Sequence, residues 1–296
     1  MADIEKVGVV GCGLMGSGIA QVCAQAGYET TVREIAEQPL EKGLSSIEKN
    51  LDRAVQKEKI DESEKDEILG RLEGTLELDD LADCDLVIEA VIEDIEVKEE
   101  VFGKLDEVCG PDTIFASNTS SLTITEMAAS TDRPDRFVGL HFFNPVPVMK
   151  LVEVVAQGAT ADEAFDAAYA FAESLGKEPV TCRDNSGFIV NRLLVPYMMD
   201  AIRAYEEGIG SIRDIDKAME LGTGYPMGPF TLADFVGLET LLKIGDIMFD
   251  EYREKRYAPP PLLRRMVTAG HYGRKSGQGF YDYSGEEPEV ADFVLR

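Results

Sequence analysis

The chain has 296 residues, 44% of them hydrophobic, and carries 56 acidic against 29 basic side chains for a formal net charge of −27. That length supports one large or two ordinary domains with real apolar cores, and the charge argues against nucleic acid or an anionic membrane as partner, because both need basic surface. No run of about eighteen apolar residues is present to span a bilayer. The opening Met1-Ala2-Asp3-Ile4-Glu5 lacks the basic and apolar stretches of a signal segment. Five scattered cysteines with no CxxC spacing fit reduced thiols in a cytoplasmic protein, not a disulfide framework or a zinc site.

In chain order, residues 7–10 read as a buried strand, 14–26 as the helix after it, and 28–32 as a second strand rich in β-branched residues. A long helical insertion follows, with Leu40, Leu44, Ile47, Leu51, Ala54 and Val55 at three-and-four spacing. Further strands are expected over 85–91, 113–116, 136–140 and 151–155. Strands alternating with helical stretches predict an α/β fold built on a doubly wound, mainly parallel sheet. After Asp184-Asn185-Ser186-Gly187 the patterns become helical, over 190–207, 215–221 and 232–252. Pro196 predicts a kink in the first of these, and Tyr257-Ala258-Pro259-Pro260-Pro261 a stiff connector. Two domains follow: an α/β domain over 1–184 with its inserted helical segment, and an all-α C-terminal domain over 185–296.

The acid excess lies mostly in the first of these, with 39 acidic residues against 16 basic up to residue 184 and 17 against 13 beyond it. A surface of that kind stays hydrated in strong salt, where screening shortens self-repulsion. A salt-loving source is one reading; an ordinary acidic enzyme is the other.

Gly11-x-Gly13-x-x-Gly16 directly follows the first strand and opens its helix, which is the context a dinucleotide requires. Gly11 permits the tight turn, Gly13 lets a pyrophosphate approach the backbone, and Gly16 allows close packing of helix on strand. The helix N-terminus then offers N–H groups and positive dipole to the phosphates. Glu34 closes the second strand, where an acid accepts from a ribose 2′-hydroxyl and repels a 2′-phosphate, so NAD is favoured over NADP. Arg33 beside it pulls weakly the other way.

The chain has only two histidines. His141 stands in His141-Phe142-Phe143-Asn144-Pro145, and Glu153 follows twelve residues later in an apolar run. Histidine suits proton transfer near neutral pH, and a neighbouring carboxylate can orient it and stabilise its charged form. A buried lone carboxylate is costly to ionise and so wants a partner. Ser120, in Ser117-Asn118-Thr119-Ser120-Ser121, and Asn191, near a helix start, are by themselves equally readable as local caps. Glu89 lies in an apolar strand without an evident role, and His271 reads as structural. Lys49, Arg53 and Lys57 are spaced four apart, forming one stripe on the inserted helix. That stripe is either a landing site for phosphates or an ordinary solvated face among Glu48, Asp52 and Glu58.

Taken together, Gly-Leu-Met-Gly-Ser-Gly at 13–18, the Ser120 and His141 stretches, Met149-Lys150-Leu151-Val152-Glu153, Gly187-Phe188-Ile189-Val190-Asn191-Arg192 and Tyr225-Pro226-Met227-Gly228-Pro229-Phe230 closely resemble the L-3-hydroxyacyl-CoA dehydrogenase family. The likeness runs from about residue 5 to residue 283. It implies a Rossmann-type NAD-binding domain, a helical substrate and dimerisation domain, and oxidation of an (S)-3-hydroxyacyl-CoA to the 3-oxoacyl-CoA in fatty-acid or butanoate metabolism, with a short chain expected. It makes His141 the catalytic base, Glu153 its orienting partner, Ser120 a contact to the reacting oxygen and Asn191 the second-domain residue completing the site. Gly11, Gly13, Leu14, Met15, Gly16, Glu34, Glu93, Lys98, Ser120, Asn144 and Lys275 fall on cofactor-contacting positions. Asn50 and Lys57 fall on positions that touch coenzyme A. Glu34 and Asn50 depart from the family's commoner aspartate and serine. A homodimer is the expected assembly. A dehydrogenase of a small polyol or sugar acid, and an inactive crystallin-like relative, are the rival readings. The basic stripe speaks against the first, and the intact Ser120, His141, Glu153 and Asn191 set against the second.

Overall fold

The computed structural model describes residues 4–291. The chain divides into two compact units, the first ending at Phe188 and the second beginning at Ile189.

The first unit is built on strands β1 (Lys6–Val10), β2 (Glu29–Arg33), β3 (Leu72–Thr75), β4 (Leu86–Glu89), β5 (Ile114–Ser117), β6 (Phe137–Phe142), β7 (Leu151–Ala156) and β8 (Glu178–Arg183). They form one sheet in the order β3-β2-β1-β4-β5-β6-β7-β8. Every neighbouring pair is parallel except β6 with β7. The segment joining those two, residues 143–150, is too short for a crossover helix, so the chain returns antiparallel. Buried side chains alternate between the two faces: Leu86 and Ile88 join one apolar cluster, Val87 the other. The strand order reverses direction between β1 and β4, which places a crevice outside their carboxyl ends.

Helices α1 (Leu14–Gln25), α2 (Glu37–Gln56), α3 (Glu62–Gly70), α4 (Ile95–Val108), α5 (Ile124–Ala128) and α6 (Asp162–Ser174) accompany this sheet. The insertion foreseen from periodicity is α2, which buries Leu40, Gly43, Ile47 and Leu51. A Cβ at Gly43 would lie 2.2 Å from Cys12 Sγ, so glycine lets α2 pack directly on the loop after β1. The insertion also holds α3, begun by an Asp61–Glu64 capping box, and the short strand β3.

The second unit contains α7 (Val190–Glu206), α8 (Ile212–Thr223), α9 (Pro229–Val236), α10 (Leu238–Tyr252) and α11 (Pro261–Thr268), with a small hairpin of β9 (Tyr281–Asp282) and β10 (Glu289–Val290). Helix α7 continues through Pro196. The stretch expected as one helix from residue 232 is two, divided at Gly237, where φ is +100°. The proline run expected as a connector leads into α11, with Pro261 in its first turn, where the missing N–H is harmless. Two buried aspartates pin the unit. Asp216 accepts from Phe230 N, Thr231 N, Thr231 Oγ1 and the Tyr281 hydroxyl, at 2.7, 3.0, 2.7 and 2.9 Å. Asp234 accepts from Phe280 N, Tyr281 N and the Tyr283 hydroxyl at 2.9, 2.9 and 3.0 Å. Burial pushes the Asp234 carboxyl up to about 6, against those hydrogen bonds.

All five cysteines are free and buried. Burial raises their thiols, Cys12, Cys109 and Cys182 to about 11 and Cys84 to about 12, with Cys23 displaced in the same direction. No helix of the described residues is long and apolar enough to cross a membrane.

Candidate active site

The dinucleotide loop sits at the carboxyl end of β1. Gly11 has φ +98°, and a Cβ there would lie 2.7 Å from Ala90 O. A Cβ at Gly16 would fall 1.7 Å from Gly11 O, so the loop closes on the helix only with glycine at both positions. Around Gly13 the space is open, with nothing within 4 Å of where a Cβ would stand. No side chain caps the N-terminus of α1, which leaves its first N–H groups for a phosphate. Glu34 lies just beyond β2 and accepts from Cys12 N at 2.8 Å and from Ile35 N at 2.9 Å, so its carboxylate is held beside the loop. Arg33 donates instead to Leu76 O at 3.2 Å, on the β3 side. Leu14, Ile35 and Ile92 follow the carboxyl ends of three neighbouring strands and are 73%, 79% and 67% exposed. Exposed apolar side chains beside a phosphate loop suit the flat rings of a dinucleotide. Spacing did not single out Ile35 or Ile92, although an apolar residue just past a strand's carboxyl end is a readable sign. The open glycine loop, the uncapped helix start, the acid held beside them and the exposed apolar side chains together fit NAD.

His141 and Glu153 face each other as direct partners in the antiparallel β6–β7 register. His141 Nδ1 lies 2.6 Å from Glu153 Oε2, and both residues are buried. Because a carboxylate only accepts, it holds the proton on Nδ1 and leaves the Nε2 lone pair pointing outward. Nε2 is 3.1 Å from Ser120 Oγ. The rings of Phe143 and Phe188 flank the imidazole, with centroids 4.5 and 5.6 Å away. Phe188 adopts φ +47°, a strained value for a bulky residue, and is buried. Nothing in the Gly187-Phe188-Ile189 motif that contains it marks Phe188 as a neighbour of His141.

The Ser120 turn follows β5 and is tied down from several sides. Glu93 Oε1 accepts from Thr119 Oγ1, Ser120 N, Ser121 N and Ser121 Oγ at 2.6, 2.9, 3.1 and 3.0 Å. Burial would raise the Glu93 carboxyl, but Lys98 and these hydrogen bonds outweigh it and hold the carboxyl below its ordinary range. Asn118 Oδ1 accepts from Phe142 N at 2.9 Å, fastening the turn to the strand that carries His141. Ser186 Oγ donates to Ser121 O at 2.7 Å. Lys98 is buried and bonded to Glu89 Oε1 at 2.6 Å. Asn144 is exposed beyond β6, at a cis peptide with Pro145. The first unit therefore gathers Gly11, Gly13, Leu14, Met15, Gly16, Glu34, Glu93, Lys98, Ser120, His141, Asn144 and Glu153 along the carboxyl edge of its sheet.

The first-unit sequence matches the model of the 3-hydroxyacyl-CoA dehydrogenase NAD-binding domain over residues 6–185, and residues 187–283 match the C-terminal domain of the same enzymes. The chain belongs to the 3-hydroxyacyl-CoA dehydrogenase family. It is 54% identical over 286 residues to a 3-hydroxybutyryl-CoA dehydrogenase of Mycobacterium tuberculosis, covering 96% of this chain and 100% of that one. Identity to the 3-hydroxybutyryl-CoA dehydrogenase of Bradyrhizobium diazoefficiens is 47%, over 97% and 98% of the two chains. Among solved structures, (S)-3-hydroxybutyryl-CoA dehydrogenase PaaH1 of Ralstonia eutropha superposes with a TM-score of 0.92 at 43% identity, covering 96% and 100%. This chain is thus an NAD-dependent oxidoreductase.

Two positions of the dehydrogenase singled out by sequence lie in the second unit: Asn191 in the first turn of α7, and Lys275, exposed and ion-paired with Glu239. Asn50 and Lys57 lie on α2 and at its C-cap. Asn50 Nδ2 donates to Gln21 Oε1 at 3.2 Å, linking α2 to α1. Lys49, Arg53 and Lys57 are exposed, and no ion pair engages any of them among the described residues; Asp52 is taken by Lys65.

Proposed function

We propose that the chain catalyses the reversible, NAD-linked oxidation of a short-chain (S)-3-hydroxyacyl-CoA to the 3-oxoacyl-CoA. The observation that carries this reading is the continuous Ser120–His141–Glu153 line at the carboxyl edge of a dinucleotide-binding sheet. NAD, when bound, supplies the acceptor for the hydride that leaves C3. His141 Nε2 takes the proton of the C3 hydroxyl, and Glu153 stabilises the imidazolium that forms. Ser120 Oγ holds the reacting oxygen against Nε2, and in the reverse direction the same imidazolium returns the proton. Gly11, Gly13, Leu14, Met15 and Gly16 would hold the pyrophosphate, and Glu34 the adenosine ribose. Resemblance alone assigns Glu93, Lys98, Asn144 and Lys275 to the cofactor and makes Asn191 the second-domain residue that completes the site.

The exposed stripe of Lys49, Arg53 and Lys57, without an ion pair among the described residues of an otherwise acidic unit, supports coenzyme A as the carrier, because a small polyol has no use for it. Close relatives named 3-hydroxybutyryl-CoA dehydrogenases support a short acyl chain. Exposed Leu193, Ile209, Leu221, Tyr225 and Phe235 support a homodimer formed through the second unit. The acid surface supports a protein adapted to high salt in the cytoplasm, and unfolding that does not shift upward with molar KCl would overturn that adaptation. Oxidation of NADH with acetoacetyl-CoA is the direct test of the activity. Turnover with acetoacetyl-CoA and none with free hydroxy acids or polyols is expected; the converse would overturn the proposal.

A further inference from the structure

Of the buried acids described in the first unit, Glu153 serves the reaction and Glu89 is left unused. Glu89 closes β4, is fully buried, and pairs in the sheet with Val10 on one side and Ser117 on the other. Its Oε1 accepts from Lys98 Nζ at 2.6 Å and Val91 N at 2.7 Å, and its Oε2 from Ser117 Oγ at 2.6 Å. Lys98 Nζ also stands 3.4 Å from Glu93 Oε2. A buried ammonium needs a close carboxylate. With Glu89 supplying it at the shorter distance, Glu93 is left to spend its other oxygen on the four donors of the Ser120 turn.

Two routes therefore run from Glu89 to the same residue. One passes through Lys98 and Glu93 to Ser120 N. The other passes through Ser117 Oγ, which accepts from Thr119 N at 3.2 Å, one residue before Ser120. We propose that Glu89 is a positioning residue for the dehydrogenase reaction: it fixes the Ser120 turn so that the hydroxyl meets both the substrate oxygen and His141 Nε2. This rests on the roles given above to Ser120 and His141.

The test uses the full-length Glu89→Gln and Ser117→Ala variants, with circular dichroism to verify folding, NADH binding by fluorescence, and steady-state kinetics with acetoacetyl-CoA and C4-deuterated NADH. A displacement of about 1 Å at a reacting group lowers turnover by up to about a hundredfold. Glu89→Gln is therefore expected to lose at least about tenfold in kcat, and Ser117→Ala about threefold. The KM for acetoacetyl-CoA and the Kd for NADH should stay within about threefold, while the deuterium isotope effect on kcat grows as hydride transfer becomes limiting. A purely structural ion pair would lower thermal stability and leave the isotope effect where it was. Folded variants with kcat within about twofold of wild type overturn the inference. Should Glu89→Gln fail to fold, Ser117→Ala decides by the same criteria. If wild-type protein does not turn over acetoacetyl-CoA, the functional reading has failed, and the inference falls with it.

Discussion

Replacing Glu153 by Gln removes a charge from the buried pair while keeping its volume and a hydrogen-bonding group. The Nδ1···Oε2 distance is 2.6 Å, which places the centres of imidazolium and carboxylate about 4 Å apart. At an effective dielectric constant of about 20, two unit charges at about 4 Å attract by about 4 kcal/mol. The imidazole acquires its charge as the C3 hydroxyl proton moves, so this attraction acts on the transition state and not on the bound alcohol. At about 1.4 kcal/mol per decade, its loss would lower kcat by close to 10³-fold, and water entering around the glutamine would bring the effect nearer 10². The amide adds a second penalty, because its NH₂ can donate to Nδ1 and so place the imidazole proton on Nε2, where the lone pair is needed. NADH formation from (S)-3-hydroxybutanoyl-CoA, followed at saturating NAD, measures kcat, and fluorescence titration shows whether NADH binding is intact. A folded Glu153→Gln protein that binds NADH normally and keeps kcat within tenfold of wild type would refute the reasoning.

Gly16→Ala puts a Cβ 1.7 Å from Gly11 O, so NADH affinity should fall at least about a hundredfold in a fluorescence titration; retention of wild-type affinity would mean the loop closes otherwise. Lys57→Glu should raise the KM for acetoacetyl-CoA by about tenfold and leave the Kd for NADH unchanged, and equal effects on both would remove Lys57 from the coenzyme A surface. Asp234, raised from the usual 3.8 to about 6, keeps its proton in the folded chain at pH values where the unfolded chain has released it. Its contribution to stability therefore falls as pH rises from about 4 to about 6, by on the order of 2–3 kcal/mol, and is flat above. The difference in urea stability between wild type and Asp234→Asn should follow that course, and a difference constant across the window would contradict it.

The sequence displays the cofactor half of the site because its determinants are contiguous: one glycine-rich loop and one acid after the next strand. His141 and Glu153 are legible for a related reason, since an eight-residue connection forces an antiparallel return and sets the two residues opposite one another. Strands β3 and β8 were not legible. Leu-Glu-Gly-Thr has no apolar run, and Glu178–Arg183 contains Pro179 and is largely exposed, as an edge strand tolerates and a central one does not. The division at Gly237 and the start of α11 at Pro261 were hidden because a helical period continues through the first and prolines usually mark a stop. Glu89 was invisible as a functional residue for a deeper reason. Its partners Lys98 and Ser117 are 9 and 28 residues away, on a different helix and a different strand, and only the sheet order brings the three together.

The burial of every thiol gives the molecule a practical property. Native cysteines that are covered and hard to ionise react slowly with maleimides, so the unmodified protein already serves as a cysteine-silent background. Cysteines introduced at the exposed positions Glu58 and Glu254, one in each unit, would then be the reactive pair. Dyes attached there would read the separation of the two units directly as NADH and acetoacetyl-CoA are added, without first stripping the chain of its own sulfur.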